Sequence, residues 1–197
     1  MLLSSIERTR GSVGRAQPRL ICLDLQREYV VPGRPLYADG AGRVAETCAS
    51  VLRHARAAGW RVIHVQRRHA DGLFERSGFF GAPIEGLRPL ISEPVFARSG
   101  LSAFCNPDFA AEMRDAAGED VFLIGFSLDR TCIATAFAAA DAGLAVTILS
   151  DATGVAGDGE GDARLSRAAA ERVLSNVARL ASSDDVLDDL SAAEACP

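Results

Sequence analysis

The sequence predicts a three-layer α/β domain built on a doubly wound parallel sheet. Short apolar runs such as RLICL from residue 19, VFLIG from residue 121 and AVTIL from residue 145 lack polar alternation, so both faces of the sheet are expected to be covered. Longer stretches with apolar residues at helical spacing separate these runs, and strand–helix–strand order favours parallel pairing through right-handed crossovers. Ligands in such sheets bind beyond the carboxyl ends of the strands. That rule selects Asp24, Gln66, the region of Arg98, the loop after Gly125 and Asp151 as candidate positions.

Residues 19–24 (RLICLD) read as a buried strand ending in a carboxylate. Residues 40–58 place Val44, Cys48, Val51, Leu52 and Ala55 on one helical face, and Gly59 stops the helix. Residues 61–66 (RVIHVQ) form the second strand. The stretch 67–93 contains Gly72, Gly78, Gly81, Pro83, Gly86 and Pro89, and is expected to be irregular or weakly helical. A short strand at 94–97, a short helix at 108–117 and a fully buried strand at 121–125 follow. Residues 131–142 form an alanine-rich helix closed by Gly143, and 145–151 another buried strand. An amphipathic helix over 162–176, a short strand over 178–182 and an acidic helical segment over 183–195 complete the order. The glycine-rich run 154–162 (GVAGDGEGD) is expected to be a solvated loop, because its carboxylates would repel a phosphate. These boundaries imply a domain over 19–190, an N-terminal extension over 1–18 and a tail over 191–197.

Apolar residues are 48% and charged residues 24% of the 197, the composition of a globular protein with a full core. The formal net charge of −5 argues against a nucleic-acid partner or a polybasic membrane surface. No stretch reaches the roughly 18 apolar residues of a membrane span, and no apolar segment precedes the N-terminal arginines as a secretory signal would require. All 21 basic residues are arginine, which excludes chemistry that needs a lysine ammonium. The five cysteines are scattered without a CxxC pair, so the chain is expected in a reducing cytoplasm without disulfides. The histidines, His54, His64 and His69, lack ligand spacing, and neither a metal nor a cofactor is expected.

Four segments occur in a recognisable order: LICLDLQREYV with Asp24 at the strand tip, FARSGLSAFCNPDF with Arg98 six residues before Phe104, LIGFSLDRTCIATAFAAADAG, and ILSDATG. Together they resemble the isochorismatase-like hydrolases, also called the cysteine hydrolase superfamily, over roughly residues 19 to 187. The resemblance implies a catalytic trio of an aspartate on the first strand, a lysine before the SAF-like motif and a cysteine at a helix start. A thiol there is favoured as thiolate by the helix dipole. It also implies an oxyanion hole of backbone N–H groups, here Ser127 and Thr131, with a cis bond between Phe126 and Ser127. A homo-oligomer is implied too, with 67–93 as the segment that closes a neighbour's pocket.

Two trio positions are changed. Counting back four residues from Thr135 and twelve from Gly143, or forward six from Gly125, puts Thr131 at the nucleophile position. Cys132 falls about 100° further round the helix and becomes the nucleophile only if the register slips. The trio therefore reads Asp24, Arg98 and Thr131, a divergent member lacking the lysine and the cysteine. A threonine hydroxyl is a far poorer nucleophile than a thiolate, and arginine keeps its charge and binds carboxylates with a fork. True isochorismatases also lack the cysteine and hydrolyse a vinyl ether without a covalent intermediate, and DLQREY and Gln66 resemble them. Two readings follow. The chain is a small-molecule hydrolase for an amide, ureido or vinyl-ether bond, in which Asp24 works on a water held by Thr131 and Arg98 supplies charge. Alternatively it is a degenerate relative that binds a small ligand or partner without turnover, with Arg98 locked onto Asp24. Gln66, Arg67 and Arg68 are candidates for substrate binding, the arginines for a substrate carboxylate. Thr131 alternatively only caps its helix, Phe79 and Phe80 are assigned to core or subunit contacts, and Asp151 to support of the site. Residues 27–40 contain no histidine, so the zinc set of the nicotinamidase branch is not expected.

Overall fold

The computed structural model describes residues 17–68, 73–74, 78–157 and 162–194, with the side chains of 191–194 excepted. Six parallel strands run β1 (Arg19–Leu23), β2 (Arg61–Arg67), β3 (Val95–Arg98), β4 (Val121–Phe126), β5 (Val146–Gly154) and β6 (Arg179–Ala181). Their order across the sheet is β3-β2-β1-β4-β5-β6. The chain therefore steps outward from β1 to β3, returns to the other flank of β1 with β4, and steps outward again. The reversal puts a crevice between the carboxyl ends of β1 and β4.

All five residues of β1 and all six of β4 are buried, as expected for central strands covered on both faces. Helix α1 (Ala41–Ala57) and α5 (Ser183–Glu194) cover one face, where Val44, Cys48, Val51, Leu52 and Val186 pack on Leu20, Cys22, Val62 and Phe122. Helices α2 (Pro107–Arg114), α3 (Ile133–Asp141) and α4 (Ala163–Leu174) cover the other. There Phe109, Met113, Ala136, Ala139 and Leu174 meet Ile21, Leu23, Ile63, Val65 and Leu123. Local chemistry sets the helix ends: Asn106 accepts from Asp108 and Phe109 amides with Pro107 at the first turn, and Asp162 accepts from the Arg164 amide. Among the described residues no helix is long and apolar enough to cross a membrane.

Several boundaries differ from expectation. Helix α2 ends at Arg114, three residues early, where Ala116 N–H turns back onto Met113 O at 3.2 Å. Helix α3 starts at Ile133 and is preceded by a π turn, Leu128–Cys132. Strand β5 runs past residue 151 to Gly154, because it carries a bulge: from Ile148 to Thr153 it advances five residues while β4 advances two, from Leu123 to Gly125. The bulge carbonyls find side-chain donors, Ser150 O and Thr153 O from Arg167 (3.0 and 2.5 Å) and Ala152 O from the Cys48 thiol (3.1 Å). Asp151 sits on this bulge and accepts from Ser183 N and Oγ at 2.8 and 2.5 Å, so it caps α5. The start of the expected solvated loop is instead buried: Gly154, Val155 and Ala156 are covered, and Ala38 bridges Ala156. Its residues 158–161 lie outside the described residues, as do 1–16 of the N-terminal extension. Phe79 is 61% exposed and Phe80 half-buried, so neither is a core residue. Arg27 and Arg34 lie over their rings at 4.3 and 3.8 Å.

Candidate active site

Asp24 follows the last residue of β1 with φ 47°, a left-handed conformation that short polar side chains tolerate better than most. Its amide donates to Val65 O at 2.8 Å and its carbonyl accepts from Gln26 N–H at 2.6 Å. The main chain thus turns sharply off the sheet beside β2. The carboxylate meets side chains delivered from the ends of β3 and β4. Arg98, the last residue of β3, donates from Nε to Asp24 Oδ1 at 3.1 Å and from Nη2 to Oδ2. The same Nη2 donates to Thr131 Oγ1 at 2.8 Å, and Nη1 donates to Gly100 O. Thr131 Oγ1 in turn donates to Asp24 Oδ2 at 3.4 Å. The three side chains expected to form the site thus make one hydrogen-bonded cluster at the sheet's reversal point.

All three are buried, Asp24 fully. Burial pushes the Asp24 carboxyl above its ordinary range, and the Arg98 guanidinium and its hydrogen bonds counter that push. For Arg98, burial works against the charge, but the Asp24 carboxylate outweighs it and holds the guanidinium protonated.

Ser127 is buried behind a cis Phe126–Ser127 peptide bond, at the position the resemblance implied. The Cys132 and Arg130 amides donate to Ser127 O at 3.0 and 3.3 Å, the first closing the π turn. That turn aims the Thr131 hydroxyl at Asp24 while Cys132 joins the apolar cluster with Leu23, Val65 and Ala136. The Cys132 thiol is pushed up by burial and by the Asp24 and Asp129 carboxylates, which disfavours a thiolate.

Gln66 and Arg68 are bonded to each other, Arg68 Nη2 to Gln66 Oε1, and Arg68 Nη1 donates to Gly81 O at 3.0 Å. Both line a cleft of about 620 Å³ with Pro83, Arg88, Leu90 and Ile91, separate from the three-residue cluster. Arg67 stays on the Asp24 side, near enough that its charge pulls on both Asp24 and the Tyr29 hydroxyl.

Three supporting residues lie in segments the sequence marks, Gln26 and Tyr29 in DLQREY and Thr135 four places after Thr131, but their roles do not follow from it. Gln26 is fully buried; its Oε1 accepts from Arg67 N–H at 2.8 Å, and its Nε2 donates to Arg67 O and Gly81 O at 3.1 and 2.8 Å. Thr135 Oγ1 accepts from Ala103 N–H at 3.1 Å, tying α3 to the turn after β3. Tyr29 stacks on Phe126 at 5.1 Å. The motif positions mark these residues, whereas their partners are set by the tertiary fold, which pairs buried polar groups.

Comparison with known proteins adds to this geometry. A family model described as the isochorismatase domain matches residues 18–184. Over 154 residues the chain is 27% identical to a maleamate amidohydrolase of Pseudomonas putida, covering 70% of this chain and 72% of that protein. An isochorismatase structure from Pseudomonas putida superimposes with a TM-score of 0.74 at 27% identity, covering 87% of this chain and 92% of that one. A cysteine hydrolase structure from Pseudomonas syringae superimposes with a TM-score of 0.78 at 20% identity, covering 90% and 93%, and shares the fold.

Proposed function

The chain belongs to the isochorismatase family of hydrolases, and from that premise we propose that it cleaves an amide, ureido or vinyl-ether bond of a small molecule with Asp24 as acid/base. Water takes the role that the family gives to a cysteine. The convergence of Asp24, Arg98 and Thr131 within 2.8 to 3.4 Å at the strand ends carries this reading. The relative named maleamate amidohydrolase favours the amide among the three bonds.

For an amide, a water oxygen held by Thr131 Oγ1 attacks the carbonyl carbon while Asp24 accepts its proton. Negative charge develops on the carbonyl oxygen, which the backbone N–H groups of Ser127 and Thr131 bind. The C–N bond breaks as Asp24 returns the proton to nitrogen, leaving an acid and an amine. A carboxyl pushed up by burial suits this shuttle, because both its forms are then accessible closer to neutral pH. Arg98 stays cationic throughout, so it orients and stabilises charge rather than transferring protons.

A second reading, binding without turnover, has its own support: Arg98 grips both oxygens of Asp24 and leaves it no solvent exposure. One comparison separates them. Wild type and Asp24→Asn are assayed over a panel of amides, ureido acids and vinyl ethers, with near-ultraviolet circular dichroism confirming the fold. Hydrolysis is expected for the wild type, falling by about 10²-fold or more in the variant. Equal rates in a folded variant overturn the assignment of Asp24, and ligand binding without turnover by the wild type establishes the second reading.

A further inference from the structure

Among the described residues, Arg67 is the least compensated charge beside Asp24. Its Nε is buried and has no acceptor from the protein, although buried guanidinium N–H groups are costly to leave unpaired. Among the described residues it forms no ion pair. The neighbouring charges are taken: Arg98 on Asp24, and Arg34 on the buried Glu28 at 2.9 Å. Counted over the described residues, Asp24, Arg98 and Arg67 together therefore hold one positive charge in excess.

The position of Arg67 is also built. Gln26 holds its backbone N–H and C=O at 2.8 and 3.1 Å, from a residue two places beyond Asp24. Its guanidinium carbon lies 5.0 Å from the centre of the buried Phe74 ring. Phe74 contacts Tyr29, which stacks on Phe126, so the surroundings are apolar and weakly screening. Asp24 and Arg98 are closed to solvent, whereas Arg67 is half-buried, which makes it the charge an arriving anion meets first. The neighbouring Arg68 is already bound to Gln66 and Gly81.

We infer that Arg67 recognises a carboxylate, and that the substrate is therefore an acid amide or ureido acid whose free carboxylate lies a few atoms from the bond cleaved. This rests on the hydrolase reading of the Asp24 site for the bond, but not for the binding. A carboxylate would accept from Nε and a neighbouring Nη in the paired geometry that guanidinium favours.

The test is calorimetric titration of succinate, a four-carbon dicarboxylate, into wild type, Arg67→Gln, Arg67→Lys and Arg88→Gln, the last in the separate cleft. Succinate is expected to bind wild type and Arg88→Gln alike, and about ten- to hundredfold more weakly to Arg67→Gln. Arg67→Lys keeps the charge without Nε and is expected in between; it serves alone if Arg67→Gln does not fold. No succinate binding by wild type, undiminished binding by the Arg67 variants, or loss in Arg88→Gln instead overturns the inference. Because binding is read without turnover, Arg67-dependent binding by an inactive protein sinks only the hydrolase reading. Turnover with Arg67-independent binding sinks only this one.

Discussion

Thr131 and Asp24 share one guanidinium, and that shared partner limits what each can do. Arg98 Nη2 reaches Thr131 Oγ1 as well as the carboxylate, so the hydroxyl has an accepting lone pair occupied and its proton directed at Asp24 Oδ2. It can hold a water on its remaining lone pair, but it is poorly placed to act as an activated nucleophile. The hydroxyl is also structural, because removing it takes an acceptor from a buried cation. Thr131→Val keeps the shape and deletes that acceptor; it is expected to lose about 1–3 kcal/mol in urea unfolding. Thr131→Ser restores the oxygen and is expected to stay within about 1 kcal/mol of wild type. Equal stability of the valine and wild-type proteins would show that Arg98 does not depend on this hydroxyl. Cys132 has the opposite character, a buried thiol in an apolar cluster with its ionisation suppressed.

Beneath the crevice, β4 comes very close to β1 at its carboxyl end. Gly125 pairs with Leu23 and has φ 118°, and a Cβ built on it would fall inside the Leu23 carbonyl oxygen. Gly125→Ala is therefore expected to destabilise the protein by about 3 kcal/mol or more, from backbone strain plus steric conflict. A urea midpoint unchanged from wild type would mean that the strands can separate without cost. The strands and helices themselves could be read from sequence. Unbroken apolar runs and helical spacing place β1, β2, β4 and α1 within a residue or two, because burial decides those elements and burial writes itself into residue type. The β5 bulge, the π turn and the early end of α2 could not be read that way. The bulge is held by carbonyl partners from Arg167 on α4 and Cys48 on α1, side chains whose arrival at β5 no local pattern announces.

The charged cluster was recoverable for a different reason. Doubly wound order sends the ends of β1, β3 and β4 to one edge, so Asp24, Arg98 and Thr131, separated by 74 and 33 residues, had to meet there if the topology was right. Gln26, Tyr29 and the unpaired Nε of Arg67 needed coordinates, since partner identity is a tertiary property. A second buried cluster, clear of the candidate site, sets the protein's response to acid. His64 on β2 faces Glu93 at 3.0 Å; Glu93 also takes Arg56 Nε from α1 at 2.7 Å and the Leu90 amide at 2.8 Å, and Cys22 on β1 is the register neighbour of His64. Burial lowers the His64 pKa below its ordinary 6.5 despite Glu93. Burial pushes Glu93 up, but the Arg56 and Leu90 hydrogen bonds outweigh that push and leave it lowered. A histidine lowered in the fold is protonated first in the unfolded chain, so stability is full above pH 6.5 and falls as pH drops toward the folded value. Glu93 acts in the same direction below its ordinary 4.5. Asp24, raised in the fold, has the opposite sign and partly offsets the loss as pH falls toward its ordinary 3.8. The urea midpoint is therefore expected to decline between pH 7 and pH 5, and His64→Gln to flatten that decline relative to its own value at pH 7. An equally steep decline in the variant would assign the acid response to groups other than His64.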